Sequence, residues 1–236
     1  MKHNPIIIAL DTSSSLKALN LVHKLKVTGV AFKVGYELFL SGGRRLVEKI
    51  VNQDVRVFLD LKFHDIPNTV AEAASVATRM GVWMFNIHAS GGIEMMARAK
   101  EASLKVAAQN KIHAPLLMGV TVLTSLSNLK DINVSLSIEE QVLSLASKAQ
   151  EASLDGVVCS AMEAPLLKKK MGEKFCLVTP GIRLPGEATH DQKRVVSPQE
   201  ALKNGSHYLV MGRPITESSR PMKTLGTLLH SLNLRQ

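Results

Sequence analysis

The sequence predicts a closed (β/α)₈ TIM barrel, a single domain over residues 1–236, and three observations predict it. Eight short apolar runs rich in Val, Ile and Leu recur along the chain, with little of the alternation that marks a half-exposed sheet; such runs suit strands buried on both faces of a parallel sheet. The runs recur about every 30 residues, the length of one strand plus a crossover helix, and eight such units typically need roughly 250 residues. No composition shift, linker or low-complexity tract divides the chain, and 45% hydrophobic against 21% charged residues supplies a sizeable core.

The first run, residues 6–10, is stopped at once by Asp11, so it is far too short for a membrane span and makes no secretory signal core. The residues at this strand end, Ala9-Leu10-Asp11-Thr12-Ser13, lack the glycine-rich fingerprint of an open doubly wound sheet, which favours the closed barrel. The second and third runs are residues 30–34 and 55–61. Asn68 then offers a cap for a helix through Val70, Ala73, Ala74 and Ala77 towards Gly81. The fourth and fifth runs cover residues 83–87 and 116–123. Ser137 with Glu140 forms a capping box for the next helix, with Gly156 just beyond its pattern. The sixth run is 156–159; Leu166-Leu167 then precede Lys168-Lys169-Lys170, read as an exposed helix face, before the seventh run at 175–178. Ser197-Pro198-Gln199-Glu200 places a hydroxyl at the N-cap, proline at the first helical position and glutamate three residues after the cap; Gly205 can end that helix ahead of the eighth run at 208–211.

Charge narrows the function. Lys and Arg number 29 against 20 Asp and Glu, a formal net charge of +9 with histidine neutral. A nucleic-acid surface would cluster those cations and interleave aromatics, whereas here they are dispersed and the aromatics are 6 Phe, 2 Tyr and 1 Trp. A small anionic ligand fits better. Two cysteines, Cys159 and Cys176, cannot make a disulfide framework and suit a reducing, cytoplasmic compartment. No His-x-His, Cys-x-x-Cys or His-Glu-x-x-His spacing argues for a metal; Cys159 reads as core and His88 as a hydrogen-bonded residue of the barrel mouth.

In a barrel of this kind the active site lies at the C-terminal strand ends. The ionisable and hydroxyl residues there are Asp11, Lys33, Asp60 and Lys62 with Asp65 just beyond, His88, Thr124 and Ser125, Arg183 and Arg213. The two-residue spacing of Asp60 and Lys62 sends both side chains to one face of an extended strand, into the mouth, with Asp65 on the following turn able to approach. Burying such charges costs several kcal/mol per ion unless they are paired, which favours function over a structural role. Two flanking carboxylates favour the ammonium form of Lys62 and hence a general acid; a Schiff-base lysine, with Lys33 as the second cation, is the weaker alternative. Gly212-Arg213-Pro214 after the eighth run offers a close backbone approach, a fork of donors and a helix start, at the corner where barrels bind phosphate. The long segment from Thr179-Pro180-Gly181-Ile182-Arg183 through Gln192 to Val196 has the length of a lid, with Arg183 at its root.

Asp60-Leu61-Lys62-Phe63-His64-Asp65-Ile66-Pro67-Asn68-Thr69 closely resembles the signature of the orotidine 5′-phosphate decarboxylase family in its bacterial form. The resemblance spans the chain through Ala9-Leu10-Asp11, Phe32-Lys33-Val34-Gly35, Gly119 to Ser125, Thr179 to Arg183 and Gly212-Arg213-Pro214-Ile215. Asp-x-Lys-x-x-Asp is shared with related magnesium-dependent sugar-phosphate decarboxylases and aldolases; Lys33, where those carry glutamate, and Pro67-Asn68-Thr69 favour the orotidylate family. The resemblance implies conversion of orotidine 5′-phosphate to uridine 5′-phosphate and CO₂, the last step of de novo pyrimidine synthesis, with neither metal nor organic cofactor. It implies a charge array of Lys33, Asp60, Lys62 and Asp65, the last supplied with Thr69 by the second chain of a homodimer. Asp11 and Lys33 would hold the ribose, Thr124 with Ser125 or Ser127 would lie by the pyrimidine, and Gln192 would bridge pyrimidine and phosphate. Arg213 with the Gly212 backbone would grip the phosphate, and Ile66, Pro180 and Arg183 are further binding positions. The other readings are a sugar-phosphate enzyme using magnesium, which EDTA would silence, and a non-enzymatic nucleotide or RNA binder, which would show steep salt dependence.

Overall fold

The computed structural model describes residues 4–183 and 196–234. Eight parallel strands close into a barrel in sequence order: β1 (Ile6–Ala9), β2 (Ala31–Val34), β3 (Val57–Phe63), β4 (Met84–His88), β5 (Leu116–Val120), β6 (Gly156–Val158), β7 (Cys176–Thr179) and β8 (Tyr208–Met211). Pairing of Ile7 in β1 with Val210 in β8 closes the ring. Outside it run α1 (Ser15–Leu25), α2 (Tyr36–Val51), α3 (Pro67–Arg79), α4 (Ile93–Asn110), α5 (Ile138–Glu151), α6 (Ala164–Met171), α7 (Pro198–Lys203), the single turn α8 (Arg213–Thr216) and α9 (Pro221–Ser231).

The strands are apolar on both faces because each face meets a different core. Ile7, Ala9, Ala31, Phe58, Met84, Met118, Val178 and Val210 fill the interior, while Ile6, Ile8, Phe32, Val34, Leu59 and Phe85 point outward against the helices. The same period of two carries past the packed layer: beyond Ala31 comes Lys33, beyond Phe58 comes Asp60, and beyond Met84 comes Asn86. Apolar residues therefore plug the lower barrel and polar ones face its mouth. Arg56 closes the opposite end, donating from Nη2 to the Asn4 and Gly29 carbonyls at 2.9 and 3.1 Å and lying 4.8 Å from the Trp83 ring centroid.

The helix starts follow their sequence signals with one correction. Ser137 and Glu140 make the reciprocal capping box of α5, and Ser197 caps α7 by accepting from Glu200 N–H at 3.3 Å, with Pro198 in the first turn. Asn68, however, is not the cap of α3: the helix begins two residues earlier than such a cap would give, at Pro67, with Ile66 at the N-cap and no side-chain cap. Proline prevails there because its fixed φ suits the first helical position and its missing N–H removes one of the orphan donors outright. A strand boundary also moved: the fifth strand, expected to run to residue 123, ends at Val120, where Thr121 turns its N–H and hydroxyl onto the Val158 carbonyl. Gly156 opens β6, where the sixth run begins. In the run Lys168-Lys169-Lys170, only the last two are exposed; the Lys168 ammonium pairs with Glu173.

Candidate active site

At the C-terminal mouth of the barrel the strand ends enclose a cavity of about 370 Å³. Among its lining residues are Asp11, Lys33, Asp60, Lys62, Thr124, Ser125, Pro180, Arg183, Gly212 and Arg213. They arrive from different strand ends, which is why residues 200 positions apart share one wall. Of the two serines left open, Ser125 lines the cavity, whereas Ser127 is exposed outside it. Cys159, fully buried, sits at its floor.

Charges form a chain across one side. Lys33 Nζ lies 3.3 Å from Asp11 Oδ1 and 3.3 Å from Asp60 Oδ2, and Lys62 Nζ donates to Asp60 Oδ1 at 2.7 Å. Burial alone would pull the Lys33 ammonium down, but Asp60 and Asp11 outweigh it and hold its pKa above the ordinary lysine value. Burial would likewise raise the Asp60 carboxyl; Lys33 and Lys62, with hydrogen bonds from Lys62 and Asn86, hold it below the usual range. Both shifts favour the ionised pair. Beside the Asp11 end of this chain Gly212 precedes α8, and a Cβ there would stand 3.3 Å from Asp11 Oδ2, so glycine spares that carboxylate a tight contact. Arg183 donates from Nη1 to the Ile182 carbonyl at 3.1 Å, and its Nε is buried without a hydrogen-bond partner among the described residues.

Lys62 reaches Asp60 by an irregular route. The equal-face spacing of the two residues presumes a regular strand, but Lys62 has a left-handed backbone, φ +42°, and the β3 to β4 register jumps between Leu59 and Phe63. Three residues of β3, Asp60 to Lys62, thus oppose the single residue Asn86. Asn86 accepts from Lys62 N–H at 2.8 Å and donates to Asp60 Oδ1 at 2.7 Å. Sequence reasoning passed over it as one position in an apolar run; the available signal was a lone amide on the face it shares with Met84. Tyr36 was also missed: its hydroxyl donates to the Leu61 carbonyl at 2.9 Å, and its ring centroid is 5.5 Å from Lys62 Nζ.

Three expected site residues lie elsewhere. Asp65 does not reach Lys62; its Oδ1 accepts from the adjacent Ile66 N–H at 2.7 Å, because the turn after β3 carries it outward into solvent. Ile66 is 67% exposed, and Thr69 and Asp65 line a second, surface cavity of about 480 Å³ with Tyr36, His64, His88 and the outer side of Lys62. His88 belongs to that outer cavity, its ring centroid 5.2 Å from that of His64; burial, then the neighbouring His64 and Lys62 charges, lower its pKa. Gln192 and most of the expected lid, residues 184–195, lie outside the described residues. Among the described residues no group of three or more His, Cys, Asp or Glu is placed to hold a metal ion, and no helix is long and apolar enough to cross a membrane.

Residues 4–227 match the family model described as "Orotidine 5'-phosphate decarboxylase / HUMPS family". The orotidine 5′-phosphate decarboxylase of Legionella pneumophila (strain Corby) is 49% identical over 229 residues, covering 96% of this chain and 98% of that protein. The protein of the same name from Neisseria meningitidis serogroup C (strain 053442) is 48% identical over 236 residues, 99% of this chain and 94% of its own. Among solved structures, orotidine 5′-phosphate decarboxylase from Lactobacillus acidophilus superposes with a TM-score of 0.87 at 36% identity, covering 98% of this chain and 100% of that one. An uncharacterized conserved protein from Geobacillus kaustophilus gives 0.85 at 35%, covering 97% and 100%.

Proposed function

The chain belongs to the orotidine 5′-phosphate decarboxylase / HUMPS family, and from that premise we propose that it converts orotidine 5′-phosphate to uridine 5′-phosphate and CO₂, the last step of de novo pyrimidine synthesis. The observation that carries this reading is the Lys33, Asp60, Lys62 array set in one cavity with Arg213 and Gly212. A nucleotide bearing a carboxylate at one end and a phosphate at the other finds cations at both.

The bond from C6 of the pyrimidine to its carboxylate breaks with both electrons left on C6, and CO₂ departs. That carbanion lacks a conventional electron sink, so a fixed opposite charge must stabilise it as it forms. The Lys62 ammonium supplies the charge and then passes a proton to C6; the lysine recovers its proton from solvent. Asp60 fixes the ammonium, Lys33 and Asp11 take the ribose hydroxyls, and Thr124 and Ser125 meet the pyrimidine. Pro180 and Arg183 line the remaining wall, with Gln192 as the bridge from pyrimidine to phosphate. Phosphate held by Arg213 and the Gly212 N–H is remote from the reacting carbon, and such remote binding energy can drive closure over the site.

A homodimer completes the proposal. Asp65, Ile66 and Thr69 face outward beside Lys62, where a second chain can receive them into its own mouth. The whole chain, residues 1–236, would act as one barrel unit. Two free, buried cysteines, Cys159 and Cys176, fit a reducing cytoplasm.

The test is the loss of orotidylate absorbance on mixing with the protein in EDTA. Turnover is expected in the parent, and Lys62→Ala should remove it while calorimetry still records uridine 5′-phosphate binding. Turnover by Lys62→Ala within tenfold of the parent would take Lys62 out of this role; activity lost to EDTA and restored by magnesium would point to the sugar-phosphate branch.

A further inference from the structure

We propose that Asn86 is a positioning residue for the Lys62 ammonium: one buried amide holds the Lys62 backbone directly and the ammonium's partner, Asp60, beside it. The inference rests on the decarboxylase reading for its catalytic consequence, but its geometry stands by itself.

Asn86 lies on the inward face of β4, 0% exposed, directly above Met84. A primary amide in such a place is destabilising unless its hydrogen bonds are made, and an aliphatic side chain would fill the strand without that need. Both of its observed bonds run to the charged pair. Lys62 N–H can only donate and the Asp60 carboxylate can only accept, so the amide has one orientation: Oδ1 to the Lys62 backbone at 2.8 Å, Nδ2 to Asp60 Oδ1 at 2.7 Å.

That orientation closes a ring. Asn86 holds the Lys62 backbone, Asn86 holds Asp60, and Asp60 holds Lys62 Nζ at 2.7 Å. The ring sits where the ladder fails. With Leu59 paired to Phe85 and Phe63 to Ile87, the bulged segment needs a partner for the Lys62 N–H, and the Asn86 side chain provides it. It thereby stabilises the left-handed φ of +42° that a lysine adopts only at a cost. The groups facing Asp60 are Lys33 from β2, Lys62 from β3, Asp11 across Lys33 from β1, His88 from β4 and Tyr36 from α2. Asn86 adds an uncharged donor bonded directly to the Asp60 carboxylate, so it can orient that group without competing for its charge.

The experiment compares the parent with Asn86→Ala, Asn86→Ser and the isosteric Asn86→Asp, reading kcat, KM and uridine 5′-phosphate affinity, and titrating the Asp60 carboxyl by ¹³C NMR. A misplaced ammonium should lower kcat about 100-fold, while KM and nucleotide affinity move by less than about threefold because phosphate and ribose contacts lie elsewhere. Asp60 should titrate at higher pH in Asn86→Ala, and higher still in Asn86→Asp, where a second carboxylate faces it. A residue that merely fills space would leave kcat per folded molecule within about threefold and the Asp60 titration unmoved; that result would overturn the proposal. Should Asn86→Ala not fold, Asn86→Ser and Asn86→Asp carry the same comparison. If the parent shows no turnover yet the Asp60 titration shifts, the decarboxylase reading fails and the positioning role stands.

Discussion

Asp60 carries more of the site than any other side chain, because both lysines and Asn86 converge on its two oxygens. Removing one partner of a buried ion pair leaves the others uncompensated and costs about 3–5 kcal/mol. Asp60→Asn should therefore lower stability at pH 7 by a few kcal/mol, read from the urea midpoint. The pH dependence follows from the two shifts. The Asp60 carboxyl is held below its ordinary value, so its contribution is fully present above the unfolded pKa of about 3.9 and is lost as pH falls through the lower folded value. Lys33 is held above its ordinary value; its contribution is fully present below about 10.4 and is lost as pH rises through the higher folded value. The pair should therefore contribute a plateau between about pH 4 and 10, and Asp60→Asn should flatten the acid decline expected of the parent. An unchanged acid slope would mean that other carboxyls govern it. That Asp60, Lys62 and Lys33 sit at strand ends could be read from the chain alone; that Asp65 faces away could not, because a turn residue has no fixed period to say where it points.

Among the elements, β3 shows where periodicity succeeds and where it stops. Val57 to Asp60 keep strict alternation, Phe58 inward and Leu59 outward. Lys62 is then delivered by a bulge that no pattern of apolar residues encodes. β6 makes the complementary case. A Cβ at Gly156 would fall 1.9 Å from the Cys176 carbonyl oxygen, so β6 and β7 approach as closely as they do only because that side chain is absent. Gly156→Ala must push backbone against backbone, and overpacking of this kind costs at least about 1–3 kcal/mol. We expect a lower urea midpoint with an unchanged slope, together with reduced activity as the neighbouring Val158 and Cys159 shift at the cavity floor. A midpoint equal to the parent's would show that the two strands can part without loss. The sequence placed a glycine at the start of this strand, but only the neighbouring strand shows why.

On the scale of the whole molecule, the barrel brings one charge array to its mouth and leaves Asp65, Ile66 and Thr69 on its rim beside it. If a second chain takes up that rim, two inactive variants should repair each other. Mixing Lys62→Ala with Asp65→Ala chains after co-refolding should restore about a quarter of the parental activity, since half the dimers are hybrids and each holds one intact site. Activity no greater than that of the separate variants would confine the site to one chain. The dispersed positive charge fits the same picture: of a formal net charge of +9, the cations lining the cavity are Lys33, Lys62, Arg183 and Arg213. By itself the sequence determined the eight-unit barrel, which residues stand at its strand ends, and the family, because apolar periodicity, helix caps and short motifs are local and survive in one dimension. Tertiary structure alone decided that Asn86 meets Lys62 and that Ser125 rather than Ser127 lines the cavity. Those outcomes depend on which backbone lies across the barrel at hydrogen-bond distance, and a strand carries no record of its neighbour's register.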